Sequence, residues 1–161
     1  MINRTRIIGS GGPVILTVPL AGGRDQKTSI KEIRIDNSQF WQKRHWRTIF
    51  SCYNRSPWFS YYREDLQPFF EKQHTFLIDF VLAGQAWIYD KLGWKQTWEV
   101  LKDKPADIDT LNRPANLESF RYSYHQVFQE KVGFHPDLSI LDLLFCEGAA
   151  RANELLGKKG G

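Results

Sequence analysis

Hydrophobic and polar positions in the first third of the chain follow a two-residue period that turn residues interrupt. Residues 5–8 and 14–19 are rich in β-branched side chains, and the glycine-rich segment 9–13 separates them. This arrangement predicts an antiparallel hairpin. After Gly22 and Gly23, the alternation over residues 30–35 predicts one further strand that is half-buried.

From residue 39 onward the apolar positions follow a helical period. A helix is predicted over residues 39–53, with Asn37 and Ser38 as its N-cap. Further helices are predicted over residues 56–65, 68–92, 139–146 and 149–156, with Gly93 and Gly148 as breaks. The first helix has a predicted buried stripe of Trp46, Ile49, Phe50 and Tyr53, and Lys43, Arg44, Arg47 and Ser51 lie on its other side.

The remaining segments are less regular. Residues 94–101 fit a strand or a helix, and residues 122–131 fit a short helix or an extended segment. Residues 102–119 are polar and contain two prolines, which predicts a surface loop. The fold class is therefore α+β, with a small antiparallel sheet from the N-terminal third and several helices packed on it. We expect one domain over residues 1–156 and a flexible tail over residues 157–161.

Composition adds a strong aromatic signal and an uneven distribution of charge. Aromatic residues make up 14% of the 161 positions, which excludes a disordered chain. The net charge is only +4, but residues 1–63 carry eight more basic than acidic residues, and the remainder carries four more acidic than basic ones. The basic half is a candidate for binding anions, and the alternative is that the two halves attract each other within one fold.

The sequence also bears on the compartment. Two cysteines, Cys52 and Cys146, are too few for a disulfide framework and fit a reducing environment. No signal peptide is visible, and the longest apolar stretch, residues 76–89, is too short to span a membrane. We therefore expect a soluble cytoplasmic protein without a membrane span.

Several kinds of site can be set aside. The four histidines show no metal-ligand spacing, and neither a dinucleotide-binding nor a phosphate-loop glycine pattern is present, so no metal site is predicted and the cofactor stays unknown. The glycines at positions 9–12 precede Pro13 and a β-rich run, whereas a phosphate loop must open a helix. A hairpin turn is the better interpretation.

His45 is the strongest candidate for proton transfer. It lies on the predicted helix at the border between the basic face and the buried stripe. Repulsion from Lys43, Arg44 and Arg47 should lower the pKa of His45 and keep its ring neutral near pH 7. A neutral imidazole beside cations suits a general base or a hydrogen-bond donor to an anionic substrate. The alternative is a border histidine bonded to a backbone carbonyl.

Two acidic residues near the C-terminus are further candidates. Ser139 and Asp142 match a capping box, in which Asp142 assists its own helix. The rival interpretation is a buried carboxylate that needs a partner, such as a cation from the basic half. Glu147 stands at a helix C-terminus, where its charge opposes the helix dipole, so a cation or a catalytic role should compensate it.

Several segments together resemble the WbqC-like family. They are residues 16–19 (LTVP), 41–46 (WQKRHW), 53–59 (YNRSPWF), 124–128 (YHQVF) and 139–148 (SILDLLFCEG). Members of this family turn up with O-antigen and other surface-polysaccharide functions, so the resemblance implies a pathway rather than a reaction. Family members usually begin with a further segment that leads into an Asn-Arg pair. Asn3 and Arg4 stand at the start here, which implies a truncated front.

The leading hypothesis is an enzyme that transfers a group on a sugar or nucleotide-sugar intermediate of surface-polysaccharide assembly. His45 would transfer the proton, and Asp142 or Glu147 would orient the His45 ring or a hydroxyl group. Arginine forks suit the binding of phosphate or carboxylate, and aromatic rings suit stacking on a sugar or base. The expected substrate-binding residues are Asn3, Arg4, Lys43, Arg44, Arg47, Trp46, Tyr53, Trp58, Tyr124 and Gln126.

Two other hypotheses belong to different functional classes. The chain could serve as a non-catalytic binding or scaffold module of the same pathway, with its aromatic residues forming an interface. Nucleic-acid binding would use the basic half, but no RNP, KH or helix-turn-helix pattern supports it. The strand over residues 5–8 would leave an uncovered sheet edge in a truncated chain, which makes a homo-oligomer a further expectation.

Overall fold

A computed structural model of the chain describes residues 3–23, 29–95 and 123–157. The predicted hairpin is confirmed: β1 (Arg4–Gly9) and β2 (Gly12–Thr17) pair antiparallel, with Gly9 opposite Gly12. The connection between them is two residues long and leads straight into β2. The glycine-rich segment is therefore a hairpin turn and does not open a helix, as phosphate binding of that kind requires.

The strand predicted over residues 30–35 is wrong. Ile30–Glu32 forms a short 3₁₀ helix, and Ile30 is exposed. Arg34 and Ile35 make isolated bridges to Phe76 and Leu20 respectively. A strand needs a partner along several residues, and here each neighbouring segment offers a single bridging residue.

Helix α1 (Trp41–Tyr53) begins two residues later than predicted. Asp36 caps the preceding 3₁₀ turn, because its carboxylate accepts hydrogen bonds from the backbone N–H of Ser38 at 3.0 Å and from its hydroxyl at 2.6 Å. Phe40 then adopts a left-handed backbone conformation with φ of 48°. This residue separates the 3₁₀ turn from the helix, so the predicted N-cap at Asn37 and Ser38 is wrong.

The buried face of α1 is also rotated from the predicted stripe. Phe50 is 39% exposed, and Trp46 is only partly buried, with its ring stacked on those of Phe59 and Phe70. The basic residues at 43, 44 and 47 are exposed, as predicted. The residues that α1 buries are Trp41, Gln42, His45, Ile49, Cys52 and Tyr53.

The next two helices are α2 (Phe59–Glu71) and α3 (Leu77–Leu92). Their boundary lies at residues 72–76 and not at Pro68, which sits inside the last turn of α2. The carbonyl of Pro68 still accepts the N–H of Lys72, so the helix continues through the proline and ends at Glu71. Gly93 closes α3 in the left-handed conformation, as predicted.

The C-terminal part contains the short helix α4 (Gln129–Val132) and α5 (Ile140–Leu155). Ser139 caps α5 by accepting the N–H of Leu141. Gly148, with φ of 75° and ψ of 172°, interrupts the helix where two helices were predicted. Residues 96–122, which include the whole predicted loop at 102–119, and the tail residues 158–161 lie outside the described residues.

The main core forms where β1, α1, α2 and α5 meet. Its fully buried side chains include Ile7 from β1, Tyr53 from α1, Phe59 from α2 and Phe145 from α5. A smaller cluster joins Val18, Ile35, Trp41 and Leu77. The observed architecture is α+β, with the hairpin on one side and helices packed against it.

The outer edge of β1 is covered at two positions. The N–H of Ile8 donates to the Tyr53 hydroxyl at 3.2 Å, and the carbonyl of Arg6 accepts the N–H of Ser139 at 2.7 Å. The expectation of an edge that this chain leaves uncovered is therefore wrong at these positions. The outward-facing N–H of Ile8 and carbonyl of Arg6 are therefore not available to pair with a strand of a second copy.

Gly148 supplies the first testable prediction. A Cβ at this position would lie 2.6 Å from a ring carbon of Trp58, and its backbone angles are nearly exclusive to glycine. Gly148→Ala should therefore lower the free energy of unfolding by about 2–4 kcal/mol in urea denaturation. Gly11→Ala is the matched control, because nothing lies within 4 Å of its Cβ position. Equal midpoints for the two variants would contradict this role of Gly148.

Candidate functional site

The open end of the hairpin fixes the first residues of the described chain. Asn3 makes two hydrogen bonds to Val18. Its backbone carbonyl accepts the Val18 N–H at 2.9 Å, and its side-chain Nδ2 donates to the Val18 carbonyl at 3.0 Å. Arg4 is paired with Thr17 in the sheet. These contacts place the Asn-Arg pair at the end of β2, beside the middle of α1.

His45 reaches this end of the hairpin from α1. Its ring is buried, packs edge-on to Trp41 with centroids 5.1 Å apart, and hydrogen-bonds to the backbone of Thr17. A carbonyl can only accept, so the ring nitrogen that faces Thr17 carries the proton. In a neutral imidazole the other nitrogen is then the acceptor. The backbone-bonded alternative is thus the one observed, and it leaves His45 with one unprotonated ring nitrogen.

The pKa of His45 is lowered to about 4, chiefly by burial. The bond to Thr17 acts in the opposite direction, and the charge of Arg44 lowers the value further. The prediction of a neutral ring is confirmed, but repulsion among cations is the smaller cause. Burial against Trp41 and the hairpin is the larger cause of the lowered pKa.

A cavity of about 460 Å³ opens beside His45. Asn3, Arg4 and Ser139 contribute to its wall at the hairpin end. The other wall residues are mostly apolar and come from α2 and α3, from Trp94 beyond α3, from Leu16 and Val18 of the hairpin, from Ile49 of α1, and from Ile140 and Leu141 of α5. Most of α3 is only half-buried, because its apolar side chains face this cavity as well as the core. The aromatic residues of the wall are Phe69, Phe70, Phe80, Trp87, Tyr89 and Trp94.

A second groove, of about 420 Å³, shares His45 and Leu16 with the cavity. Its wall comes from β2 and the exposed side of α1, and it includes Gln39, Arg44 and Thr48. His45 therefore stands between an apolar chamber and a polar groove that carries positive charge. From this position the His45 side chain can contact groups bound in the cavity and groups bound in the groove.

The basic face of α1 continues this groove. Lys43, Arg44 and Arg47 line an adjoining depression together with Phe40, which is 73% exposed. In the described ranges, the ion pairs are Arg6–Asp137, Lys91 with Asp65 and Asp90, and Arg151–Glu154. None of these pairs involves the basic face. Within that part of the chain its charge remains available to an anion, and Arg6–Asp137 is the pair that joins the two halves.

Asp142 is a fully buried carboxylate and not a capping residue. Its Oδ1 accepts the Tyr53 hydroxyl at 2.7 Å, and its Oδ2 accepts the Tyr124 hydroxyl at 2.6 Å. The Tyr53 oxygen receives the N–H of Ile8, and the Tyr124 oxygen receives Nε2 of Gln126. Each tyrosine therefore directs its own proton to Asp142. The capping-box interpretation is wrong, and the partners are hydroxyls and not the expected cation.

This network has its own electrostatic signature. Burial raises the pKa of Asp142, although the two hydroxyl bonds oppose this effect. Burial and the nearby carboxylate raise the pKa of Tyr53 and Tyr124, so both stay protonated. Burial also raises the pKa of Cys146 to about 12 and raises that of Cys52, which makes both thiols poor nucleophiles.

Most remaining candidates belong to this structural network and not to the His45 cavity. Gln126 is fully buried and makes two hydrogen bonds to the backbone of His135. Its Nε2 donates to the His135 carbonyl at 2.7 Å, and its Oε1 accepts the His135 N–H at 2.9 Å. Tyr53 lies two helical turns, about 12 Å, along α1 from His45. Asp142, Tyr124 and Gln126 gather around that distant position. The structure therefore does not bring Asp142 to His45 as an orienting group.

Glu147, Trp46 and Trp58 also lie apart from His45. The Glu147 carboxylate accepts the backbone N–H of His125 at 3.2 Å, so its observed partner is a backbone donor and not the expected cation. Trp46 packs in the core, and Trp58 covers Gly148. The described lining of the cavity includes none of the three.

The cavity wall on α2 and α3 was not predicted from the sequence. Helices were predicted over residues 56–65 and 68–92, without a cavity beside them. A signal was present, because residues 76–89 are apolar on nearly every face, more than one packing surface needs. Gly84 within this run lets the Phe69 ring approach α3 closely, because a Cβ at this position would lie 3.3 Å from Cζ of Phe69.

Within residues 3–23, 29–95 and 123–157, no three His, Cys, Asp or Glu side chains cluster closely enough to hold a metal ion. Over the same residues, no helix has the length and apolar character needed to cross a membrane.

Comparison with known proteins yields one match. Residues 1–118 match the family model described as the WbqC-like protein family. No curated protein and no solved structure matches the chain. The match covers His45, the basic face and the cavity wall on α2 and α3. The segment 139–148, which also carried the resemblance, lies beyond it.

The buried His45 gives a pH-dependent prediction. Its pKa in the folded chain is about 4, against an ordinary value of 6.5, so the unfolded chain takes up the proton first as the pH falls. The contribution of His45 to stability is full above pH 6.5 and is lost toward pH 4, at about 3 kcal/mol in total. Urea unfolding of His45→Gln should lack this part of the pH dependence. Identical slopes for both proteins would show that His45 does not titrate in this way.

The Asp142 network gives a stability prediction. Asp142→Ala leaves two buried hydroxyls without an acceptor and should cost about 3–5 kcal/mol. Tyr124→Phe removes one of the two bonds and should cost about 2 kcal/mol. Denaturant midpoints measured at pH 7 show which of the two variants is less stable. A smaller loss for Asp142→Ala than for Tyr124→Phe would contradict the network.

Proposed function

Because this chain belongs to the WbqC-like protein family, we propose that it is an enzyme of surface-polysaccharide (O-antigen) assembly. It transfers a group on a sugar or nucleotide-sugar intermediate. The observation that carries this proposal is the neutral, buried His45 between an apolar cavity and a positively charged groove. The two free buried thiols support a cytoplasmic location.

The groove binds the anionic part of the intermediate. Arg44 lines the groove directly, and Lys43 and Arg47 extend the charge along α1. Guanidinium groups bind phosphate and carboxylate oxygens in a bidentate manner. Arg4 stands at the other side of His45, on the cavity wall, where it can hold a second polar end.

His45 acts as the proton-transfer group. Its unprotonated ring nitrogen accepts the proton of an acceptor hydroxyl or amine while that oxygen or nitrogen bonds to the transferred group. The bond between the transferred group and its leaving group breaks in the same reaction. The leaving group departs with the electron pair and takes the proton from His45, which restores the neutral ring. Thr17 holds the ring in the required tautomer throughout.

A second candidate function is a non-catalytic binding module of the same pathway. Trp58 and Tyr61 are 43% and 68% exposed, and their rings pack edge-to-face on the surface. Exposed aromatic pairs are typical of protein interfaces. This pair lies outside the lining of the His45 cavity, so its substitution separates the two functions.

The test combines ligand binding with turnover. UDP-glucose and UDP-N-acetylglucosamine at ten times their dissociation constants should raise the melting temperature by about 3–5 °C. Arg44→Ala and Arg47→Ala should remove this shift, whereas Arg63→Ala, an exposed arginine on α2, should retain it.

Turnover distinguishes the enzyme from the module. In bacterial extract, mass spectrometry should detect a sugar product whose formation falls about 10²- to 10⁴-fold in His45→Gln. The Trp58→Ala, Tyr61→Ala double variant should leave the rate unchanged. An enzyme role is refuted if no nucleotide-sugar or phosphate shifts the melting curve at millimolar concentration and no product forms.

A further inference from the structure

The outer edge of β2 continues into a segment that already has a partner. Beyond the strand, residues 19–21 pair antiparallel with residues 34–36 through an isolated bridge. The Asp36 N–H donates to the Pro19 carbonyl at 3.0 Å, so residue 36 lies in the position of a third strand. The chain then enters the 3₁₀ turn before α1. Within the described ranges, no strand continues in this position along β2 itself.

The register of the hairpin decides which backbone groups of β2 face this edge. Opposite residues of an antiparallel pair alternate between hydrogen-bonded and non-hydrogen-bonded pairs. The Val18 N–H donates to the Asn3 carbonyl, so Thr17 and Ile15, one and three residues earlier, belong to non-hydrogen-bonded pairs. The N–H and carbonyl groups of both residues therefore point away from β1.

Most of these outward groups have no partner in the described chain. The Thr17 carbonyl accepts the His45 ring, but neither the Thr17 N–H nor the N–H and carbonyl of Ile15 makes a hydrogen bond in the described ranges. Ile15 is 57% exposed, whereas Leu16 beside it is buried. Natural proteins protect such edges with charged residues or a cover, and β2 contains no charged residue. This part of the edge can pair with a further strand.

Charge along the groove indicates which kind of strand fits. Arg44 and Thr48 line the groove on its α1 side, and Lys43 and Arg47 extend the positive charge along the helix. None of these cations belongs to an ion pair within the described chain. Two copies paired through β2 would bring their basic helix faces together, because a two-fold interface uses the same surface twice. An acidic strand meets the opposite charge and is attracted.

We propose that the outer edge of β2 binds an extended acidic segment of a partner protein. The segment pairs antiparallel with residues 13–17, in line with residues 34–36, and lies in the groove beside α1. Its side chains opposite Ile15 share the exposed face, and the intervening ones lie on the Leu16 face, toward Arg44. A segment that alternates β-branched and acidic residues therefore fits both faces. This partner surface is additional to the proposed enzyme activity and does not depend on it.

Amide hydrogen exchange followed by NMR tests the edge residue by residue. In the free chain, the amides of Ile15 and Thr17 should exchange fast, whereas those of Val14 and Leu16, which bond to β1, should exchange slowly. The probe is the peptide VEVEV, acetylated and amidated at its ends. At about ten times its dissociation constant, it should slow exchange at Ile15 and Thr17 by about 10-fold.

Three modified peptides test the mode of binding. N-methylation of the central valine removes the N–H that faces Ile15 and should weaken binding by about 3- to 10-fold. N-methylation of either glutamate alters an N–H that faces away from β2, so that peptide should bind like the parent. VKVKV should bind more weakly than VEVEV, and added salt should narrow the difference.

Protein variants test the edge and the charge separately. Ile15→Pro removes the outward N–H and should abolish binding, while proline is compatible with an edge strand at an outward-facing N–H. Ile15→Thr keeps the N–H and should bind normally. Arg44→Glu should weaken VEVEV and favour VKVKV, and Arg63→Glu, at an exposed position of α2, should change neither. Thermal melting establishes that each variant is folded.

The outcomes separate this inference from its alternatives. Absence of saturable binding, equal affinity of the two kinds of N-methylated peptide, or full binding by folded Ile15→Pro overturns the docking edge. Protection of Ile15 and Thr17 that rises with protein concentration alone, together with a dimer in sedimentation, identifies a second copy as the partner and overturns the acidic segment. Stabilisation by nucleotide-sugars is measured without peptide, so either proposal can fail while the other stands.

Discussion

The buried carboxylate of Asp142 joins more parts of the fold than any other polar group described above. Tyr53 connects it to α1 and, through the Ile8 N–H, to β1. Tyr124 and Gln126 connect it to the segment before α4 and to His135. A charge buried at this depth is tolerated only if its lone pairs are satisfied, so the positions of these elements are mutually constrained. The packing of Phe145 and Phe59 around the network depends on the same alignment.

Local signals predicted the elements whose ends are encoded by single residues. The hairpin turn, the end of α3 at Gly93 and the break at Gly148 all depend on glycine within a short segment. The boundary between α2 and α3 was misplaced, because Pro68 is tolerated in a last helical turn. The strand at residues 30–35 failed for a related reason: alternation indicates a strand only where a partner exists, and partners are decided by tertiary structure.

The candidate site was predictable in part. His45 stood out from its charged neighbours, and its neutral state is confirmed. The main cause of its lowered pKa is burial against Trp41 and Thr17. This burial depends on the hairpin, so it could not be predicted from the sequence of the helix. Asp142 showed a local capping pattern, whereas its true partners are 89 and 18 residues away in sequence. The cavity was missed because apolar residues that line a chamber and those that fill a core have the same pattern.

Helix α1 runs along the hairpin and has a different role at each end of it. Near the closed turn, Tyr53 and Cys52 lie against Ile8 and Gly9, and the polar groups there bind one another. Near the open end, His45 keeps an unprotonated ring nitrogen and Asn3 keeps an oxygen without a partner in the described chain. Satisfied polar groups stabilise a fold, and unsatisfied ones cost stability unless a ligand binds them. The closed end can therefore hold α1 in position through satisfied hydrogen bonds, whereas the open end contributes less to stability and keeps polar groups that the described chain does not pair.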